Sequence, residues 1–237
     1  MRVRRVVTTR AGGRSTGPFA RFNLSAGVGD DPAAVVANRR RLARELGAAV
    51  VFLGQVHGVR VVTVGTPPVD GAPDVADTDA AVTALPGVAV AVLAADCVPV
   101  LLADPATGVV AAAHAGRVGA AAGVLPATVA AMEALGARRE RLEVLLGPAV
   151  CGACYEVPAA MRDEVAAALP GSAARTRRGT PSLDLRAGLR HQLAELGVAG
   201  IGADPRCTME DPQLYSHRRD GRTGRQAAVI WIDPRPS

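Results

Sequence analysis

Three side chains that can bind a metal or act as nucleophiles, those of His57, Cys97 and His114, each follow an apolar stretch of the chain. A glycine follows each histidine within two residues and a proline follows the cysteine within two, so each is expected where a strand ends. Loops at strand ends gather at one edge of a sheet and form sites there. Imidazole nitrogen and thiolate sulfur are good zinc ligands, and three protein ligands with one open position are typical of catalytic zinc. Such an ion brings the pKa of bound water near neutrality.

The spacing of these three residues leaves two other interpretations open. They lie 40 and 17 residues apart, which matches no short zinc motif. Cys97 and His114 could instead form a nucleophile and its general base. All three could also be ordinary residues that end ordinary strands.

The elements expected to position them alternate between strands and helices, which predicts an α/β or α+β fold with a mixed sheet. The continuous apolar runs favour strands buried on both sides. Helix start and stop signals are clearest around Asp31, Pro32 and Gly47. Strands are predicted within 50–64, broken at His57-Gly58, and within 87–104, 108–116, 142–150 and 227–232. Helices are predicted within 30–48, 118–137 (with a break at Gly123 or Pro126), 157–171 and 183–198 (capped by Asp184 or Ser182).

Composition limits the class of protein. The chain has 237 residues, 49% of them hydrophobic but only 3% aromatic, so its core must be built mainly from Ala, Val and Leu. No repeat or linker divides residues 1–237, and we expect a single domain. All 27 basic residues other than histidine are arginine, which suggests a compositional bias. The net charge of +5 is therefore weak evidence for a nucleic-acid partner.

The sequence also gives an expected location. No apolar run approaches the roughly 20 residues of a membrane span, and the basic N-terminus lacks the apolar core of a signal peptide. We expect a cytoplasmic protein without a membrane partner.

Four cysteines in a chain of this length do not form a disulfide framework. Cys151-Gly-Ala-Cys154 has the form of a redox or zinc motif, but no second C-x-x-C accompanies it and it opens no thioredoxin-like helix.

Six blocks resemble, in order, the signatures of one family: GQVHG, ADCVPVLLAD, AAHAG, GPAVCGACYEV, LDLR and RRDGRTGRQAAVIW. The chain looks like a member of the YfiH family, also called the laccase-domain or multicopper polyphenol oxidase family, from about Asn23 to Trp231. The resemblance implies a single-domain, four-layer α/β/β/α sandwich with mixed β-sheets. It also implies a catalytic zinc site formed by His57, Cys97 and His114. Copper is the alternative ion, although a multicopper site needs many more histidines than the four present.

The activity implied by the resemblance is that of a purine nucleoside phosphorylase. Its substrates would be phosphate with adenosine, inosine or S-methyl-5'-thioadenosine, and adenosine deamination would be a side activity. Arg225 follows a Gly-rich turn and could hold phosphate with its planar donor fork. Asn23 and Gln55 could orient the base or ribose, or satisfy backbone groups. Tyr155 could stack on the purine or belong to the core.

One block departs from the family pattern. The family usually has His-Ala-Gly-Trp-Arg-Gly where this chain has His114-Ala115-Gly116-Arg117-Val118-Gly119. The change alters the groups available for substrate recognition at that corner and leaves the metal ligands intact.

Two further hypotheses remain. The resemblance extends to cysteine hydrolases, including relatives described as peptidoglycan editing factors, which would make Cys97 a nucleophile with His114 as its base. The chain could also be a nucleotide-sensing module without activity. The expected partners are small purine nucleosides and phosphate, with no nucleic acid and no protein partner.

Overall fold

The apolar runs form strands of three sheets in this computed structural model, which describes residues 2–235. The strands are β1 (Arg2–Val7), β2 (Ala49–Val51), β3 (Val61–Thr63), β4 (Ala80–Thr83), β5 (Val88–Ala94), β6 (Val98–Asp104), β7 (Val109–Ala115), β8 (Glu143–Leu146), β9 (Ala173–Arg175), β10 (Pro181–Leu183), β11 (Gly200–Ala203) and β12 (Gln226–Asp233). The helices are α1 (Pro32–Leu46), α2 (Arg117–Ala122), α3 (Val124–Ala134), α4 (Ala159–Ala168), α5 (Leu185–Glu195) and α6 (His217–Asp220).

Both large sheets are mixed. One has four strands in the order β1-β12-β5-β2, and only the β2–β5 pair is parallel. The other has six strands in the order β11-β8-β6-β7-β4-β3, with parallel pairs at its two edges. The short β9–β10 hairpin stands apart from both. The chain is thus a single mixed α/β domain, as the sequence predicted.

The two large sheets pack face to face and carry helices on their outer faces. Val90 and Ile230 of the four-stranded sheet meet Leu101 and Val110 of the six-stranded sheet in the central core. Helix α1 covers the outer face of the smaller sheet, and helices α3, α4 and α5 cover that of the larger sheet. Strands β5, β6 and β7 lie between these layers and are buried on both faces, which explains their continuous apolar sequences.

Local signals fixed the helix ends well. Asp31 caps α1 by accepting a hydrogen bond from the amide of Ala33, and Gly47 ends the helix in the left-handed conformation. The break predicted at Gly123 or Pro126 is at Gly123, which separates α2 from α3. Pro126 lies in the first turn of α3, where its missing amide is not needed.

The prediction for residues 50–64 was only partly correct. The expected pair of strands is reduced to β2 and β3, which lie in different sheets with a long loop between them. The sequence analysis also missed the short edge strands β9, β10 and β11, together with β1 and β4.

Among residues 2–235, no helix has the length and apolar character needed to span a bilayer.

Candidate active site

The three residues singled out by their chemistry come together at the end of the six-stranded sheet where β6 begins and β7 ends. His57 lies in the loop between β2 and β3, Cys97 in the turn between β5 and β6, and His114 near the end of β7. One ligand atom from each lies within 4.8 Å of the other two. Cys97 Sγ is 3.7 Å from His57 Nε2. The two imidazole rings meet edge to face, with their centroids 4.9 Å apart.

The buried carboxylate of Asp79 organises this cluster. It accepts hydrogen bonds from the backbone amides of Val56, His57 and Gly58 at 3.1, 3.0 and 2.7 Å. It also lies 2.8 Å from His114 Nδ1. A histidine that donates through Nδ1 has Nε2 free for a metal, and a carboxylate behind a ligating histidine is a recurrent support for zinc.

Sequence analysis did not identify Asp79 as part of the site. The sequence shows only an aspartate directly before the apolar residues of β4, a strand that was itself not predicted. The full burial of Asp79, which requires a partner for its charge, is visible only in the structure. Its partners are distant in sequence, so the sequence did not say which residues they were.

Strained backbone accompanies the cluster. His57 and Asp96, the residue before Cys97, have φ angles of 62° and 97°. Such conformations cost non-glycine residues about 1–3 kcal/mol each and collect at functional sites. Hydrogen bonds to Asp79 hold the first. The Asp96 carboxylate accepts from the Thr208 hydroxyl and from the Arg218 amide, both at 2.6 Å, and these contacts hold the second.

The cluster forms an ionic network even without a metal. Burial by itself would raise the pKa of the Cys97 thiol, but hydrogen bonds with His114 and His57 lower it to about 6. Burial likewise opposes the charged form of His114, yet its hydrogen bonds to Asp79 and Cys97 raise its pKa to about 9. At neutral pH the sulfur is therefore a thiolate, the form that attacks electrophiles and binds metals.

These donors fit a zinc ion. Ligands of a tetrahedral zinc with two nitrogens and one sulfur lie roughly 3.3–3.8 Å apart, close to the 3.7 Å between Cys97 Sγ and His57 Nε2. Gly116 allows this approach, because a Cβ there would lie 2.5 Å from His57 Cδ2 and 3.2 Å from Cys97 Sγ. The fourth position would face the pocket that all three ligands line.

The pocket has a volume of about 520 Å³, and its charged lining residues outside the cluster are three arginines and two aspartates, Asp74 and Asp96. Arg117, Arg218 and Arg225 all border it, together with Tyr155. The Arg218 guanidinium lies over the Tyr155 ring, 5.1 Å from its centroid. Arg117, where the sequence departs from the pattern expected of the family, thus supplies a cation to the pocket.

Two of the predicted substrate-binding residues line the pocket with groups that a ligand can contact. Arg225 is half-buried and its Nη1 donates to the carbonyls of Thr223 and Gly224, at 2.9 and 3.0 Å. Burial lowers the pKa of this guanidinium, and the nearby charges of Cys97 and Asp96 oppose that effect. Tyr155 is half-buried beside the same space.

The side chains of the other two predicted residues already make hydrogen bonds within the protein. Gln55 lines the pocket, but its amide group bonds both the N–H and the carbonyl of Leu93, at 2.7 and 2.8 Å. Asn23 is fully buried and does not line the pocket. Its Oδ1 accepts from the amides of Ser25 and Arg225, at 3.0 and 2.9 Å. Asn23 therefore positions Arg225 and cannot contact a ligand from its present place.

The fold and the pocket define a mixed α/β domain with a His–Cys–His cluster beside an arginine-lined cavity. Residues 4–233 match the family described as multi-copper polyphenol oxidoreductase laccase. A Mycobacterium tuberculosis protein named purine nucleoside phosphorylase is 56% identical to this chain. The alignment covers 98% of this chain and 93% of that protein.

Solved structures agree with this assignment. YlmD of Geobacillus stearothermophilus is 36% identical with a TM-score of 0.89, over 98% of this chain and 92% of that one. YfiH of Bacillus licheniformis is 29% identical with a TM-score of 0.86, over 97% and 92%. The chain belongs to the multi-copper polyphenol oxidoreductase laccase family, which is the YfiH-like family that the sequence blocks indicated.

Proposed function

We propose that this protein is a zinc-dependent purine nucleoside phosphorylase acting on adenosine, inosine and S-methyl-5'-thioadenosine, with adenosine deamination as a side activity. The observation that carries the proposal is the placement of Arg117, Arg218 and Arg225 around the same pocket as the His–Cys–His cluster. The names of its relatives support the same substrate class.

Phosphorolysis needs a held anion and a stabilised leaving base. A phosphate oxygen forms a bond to C1′ of the ribose while the bond from C1′ to the purine nitrogen breaks. The base leaves with the bonding electrons and takes up a proton, giving ribose 1-phosphate and free purine. Guanidinium forks match phosphate oxygens in geometry and charge, so the arginines would bind and orient the phosphate.

The nucleoside would bind in the same pocket, next to these arginines. Arg218 lies over one face of the Tyr155 ring, and the rest of that ring would offer a flat surface for a purine. Asn23 would act as a positioning residue because it fixes the backbone of Arg225. His57, Cys97 and His114 would hold zinc, with Asp79 fixing the orientation of His114.

When bound, zinc would supply a Lewis acid both for phosphorolysis and for the replacement of the adenosine C6 amino group by water. The three-ligand set with an open position is that of catalytic zinc, and a multicopper centre would need many more histidines than the four in the chain. The chain's other two histidines do not extend this set, since His191 pairs with Glu195 on α5 and His217 Nδ1 bonds the Gly221 carbonyl.

The direct test is phosphate-dependent release of the base. Zinc-loaded protein is incubated with inosine, with and without phosphate, and hypoxanthine and ribose 1-phosphate are measured. We expect both products in equal amounts only when phosphate is present. Zinc-loaded protein that releases no base in the presence of phosphate would disprove the assignment.

A second candidate follows from the position of Cys97. Its half-buried sulfur opens onto the pocket beside two imidazoles. A cysteine amidase would use this thiolate to attack an amide carbonyl, with a histidine protonating the departing amine and water then cleaving the thioester. Such an enzyme would edit peptidoglycan precursors and would need no metal.

A further inference from the structure

A second group of metal-ligating side chains lies where two tight turns meet, outside the set that lines the pocket. Cys151 and Cys154 belong to one turn, and Cys207 and Glu210 to the other. Three sulfurs and one carboxylate oxygen from these residues all lie within 4.8 Å of one another. The sequence analysis found only the first turn, because Cys207-Thr-Met-Glu210 ends in a carboxylate instead of a second thiol.

The two turns are built alike. The Cys154 amide donates to the Cys151 carbonyl at 2.9 Å, and the Glu210 amide donates to the Cys207 carbonyl at 3.1 Å. Each turn therefore presents ligands three residues apart on the same side. Paired ligands with this spacing, contributed by two separate turns, are the usual construction of a closed structural zinc site.

We propose that Cys151, Cys154, Cys207 and Glu210 form a second zinc site, structural and distinct from the His–Cys–His cluster. Four protein ligands complete a tetrahedral shell and leave no open position. Binding would replace the three thiol protons, which pass to solvent. Three thiolates favour a soft ion such as zinc over magnesium or calcium.

The ligands are held close together by the backbone. Cys207 Sγ accepts a hydrogen bond from the Cys151 amide at 3.3 Å, and Cys154 Sγ lies 3.5 Å from Glu210 Oε1. A parallel bridge joins Cys207 to Ala149, just before the first turn. Small side-chain rotations would bring these atoms to the roughly 3.3–3.8 Å separations of a tetrahedral shell.

The first turn is also packed tightly from behind. A Cβ on Gly152 would lie 2.9 Å from Asp184 Cβ and 3.2 Å from Ala174 Cβ. The Gly152 carbonyl accepts a hydrogen bond of 2.6 Å from the Ser182 hydroxyl. These contacts fix the turn against the β9–β10 hairpin and the start of α5, so its two cysteines are presented in a defined orientation.

The charge of the proposed shell is partly balanced. Three thiolates and a carboxylate around a divalent ion carry a net charge of −2. The Arg177 guanidinium forms an ion pair with Glu210 Oε1, and it would offset one charge and orient the carboxylate.

Both turns connect directly to the pocket. The Val150 amide donates to the Asp96 carbonyl at 3.0 Å, and the Thr208 hydroxyl donates to the Asp96 carboxylate at 2.6 Å. Tyr155 follows Cys154 and lines the pocket. An ion joining the two turns would therefore stiffen the wall that holds Cys97 and Tyr155 without touching the substrate.

The test counts metal at each site separately. Zinc-grown protein is purified in reductant, and zinc per chain is measured by elemental analysis and native mass spectrometry. We expect two zinc ions in the wild type, one in Cys154→Ser/Cys207→Ser and one in His57→Ala/Cys97→Ser. Glu164→Gln, an exposed acid on α4, is the control and should retain both.

Cobalt substitution identifies the remaining site. In His57→Ala/Cys97→Ser, bound Co²⁺ should show intense thiolate-to-metal absorption from three sulfurs, and metal removal should lower the melting temperature. This result would stand even if the variant and the wild type lacked nucleoside activity, so the two proposals fail independently.

Two outcomes would overturn the second site. One is a folded His57→Ala/Cys97→Ser variant that binds no zinc or cobalt. The other is a mass 2 Da lower that maps to a Cys151–Cys154 disulfide in protein prepared with reductant, which would make the pair a redox centre. If the cysteine variants do not fold, stepwise zinc release from the wild type by a mercurial, read with a zinc dye, still gives the count.

Discussion

The Asp79 carboxylate and His114 Nδ1 lie 2.8 Å apart, both buried, at the base of the His–Cys–His cluster. The same carboxylate holds the amides of the loop that carries His57. One acid thus orients one proposed ligand through its ring and another through its backbone, although the three residues come from separate parts of the chain.

We predict that Asp79→Asn weakens zinc binding at this cluster by about 10- to 100-fold, the usual effect of losing the group behind a ligating histidine. The amide keeps the size of the side chain but loses the charge, and its NH₂ group cannot accept from the loop amides. Competition with a chelator measures the affinity. Asp163→Asn, an exposed change on α4, should bind zinc like the wild type. Equal affinity in both variants would show that Asp79 does not support the ligands.

A second prediction concerns the reactivity of Cys97 in zinc-free protein. Because the pKa of this thiol is lowered to about 6, its thiolate fraction rises through that pH and is nearly complete at pH 8. The rate of alkylation by iodoacetamide, followed by peptide mass spectrometry, should rise with pH along the same curve. Cys154, whose pKa burial and neighbouring thiols raise to about 12, should react slowly throughout and serve as the internal comparison.

Adding zinc should protect Cys97 from the reagent, because coordination occupies the sulfur lone pair. A rate that rises only around pH 8.5, the ordinary range for a cysteine, would mean that the two imidazoles do not stabilise the thiolate.

The third prediction separates phosphate binding from nucleoside binding. Arg225→Ala should raise the KM for phosphate by roughly 10- to 100-fold, since a hydrogen bond to a charged group contributes about 1.5–3 kcal/mol. Adenosine deamination, which uses no phosphate, should change little. Arg225→Lys should not restore the KM, because an ammonium lacks the planar fork. Arg44→Ala, an exposed change near the end of α1, controls for charge; an unchanged phosphate KM in Arg225→Ala would move the phosphate elsewhere in the pocket.

The sequence predicted those parts of the fold that have a local cause. Asp31, Pro32 and Gly47 bound α1 through contacts within a few residues, and the apolar runs of β5 to β7 reflect burial on both faces. Short strands such as β9 and β11 escaped prediction because three or four residues carry no period of their own. They are strands because a neighbouring strand pairs with them.

The same distinction applies to the site. Residue type drew attention to His57, Cys97 and His114, and the family resemblance grouped them. Asp79 and Asn23 act through hydrogen bonds to segments as far as 35 and 202 residues away. No local pattern records such partners, so their positioning roles could be seen only in the folded chain.

A fourth prediction tests how closely the cluster is packed. Gly116→Ala would place a methyl group 2.5 Å from His57 Cδ2, so the imidazole must move and zinc affinity should fall about 10-fold or more. Gly65→Ala is the matched control, because a Cβ there meets nothing within 4 Å and its φ angle is not positive. Circular dichroism checks that both variants fold. Zinc affinity unchanged in Gly116→Ala would show that His57 has room to shift and still bind.

The last prediction distinguishes the zinc enzyme from the cysteine amidase. His57→Ala removes a proposed ligand but leaves Cys97 and His114 in place, so a nucleophile and base of the amidase type would survive. If zinc is required, His57→Ala should lose one zinc ion per chain, and nucleoside turnover should fall at least about 10²-fold, as when an electrostatic centre is disrupted. Cys97→Ser should be nearly as severe, since a serine hydroxyl seldom ionises. His191→Ala, an exposed histidine on α5, should keep both metal and activity. Near wild-type nucleoside turnover in folded His57→Ala would contradict the zinc proposal and favour the Cys97–His114 pair.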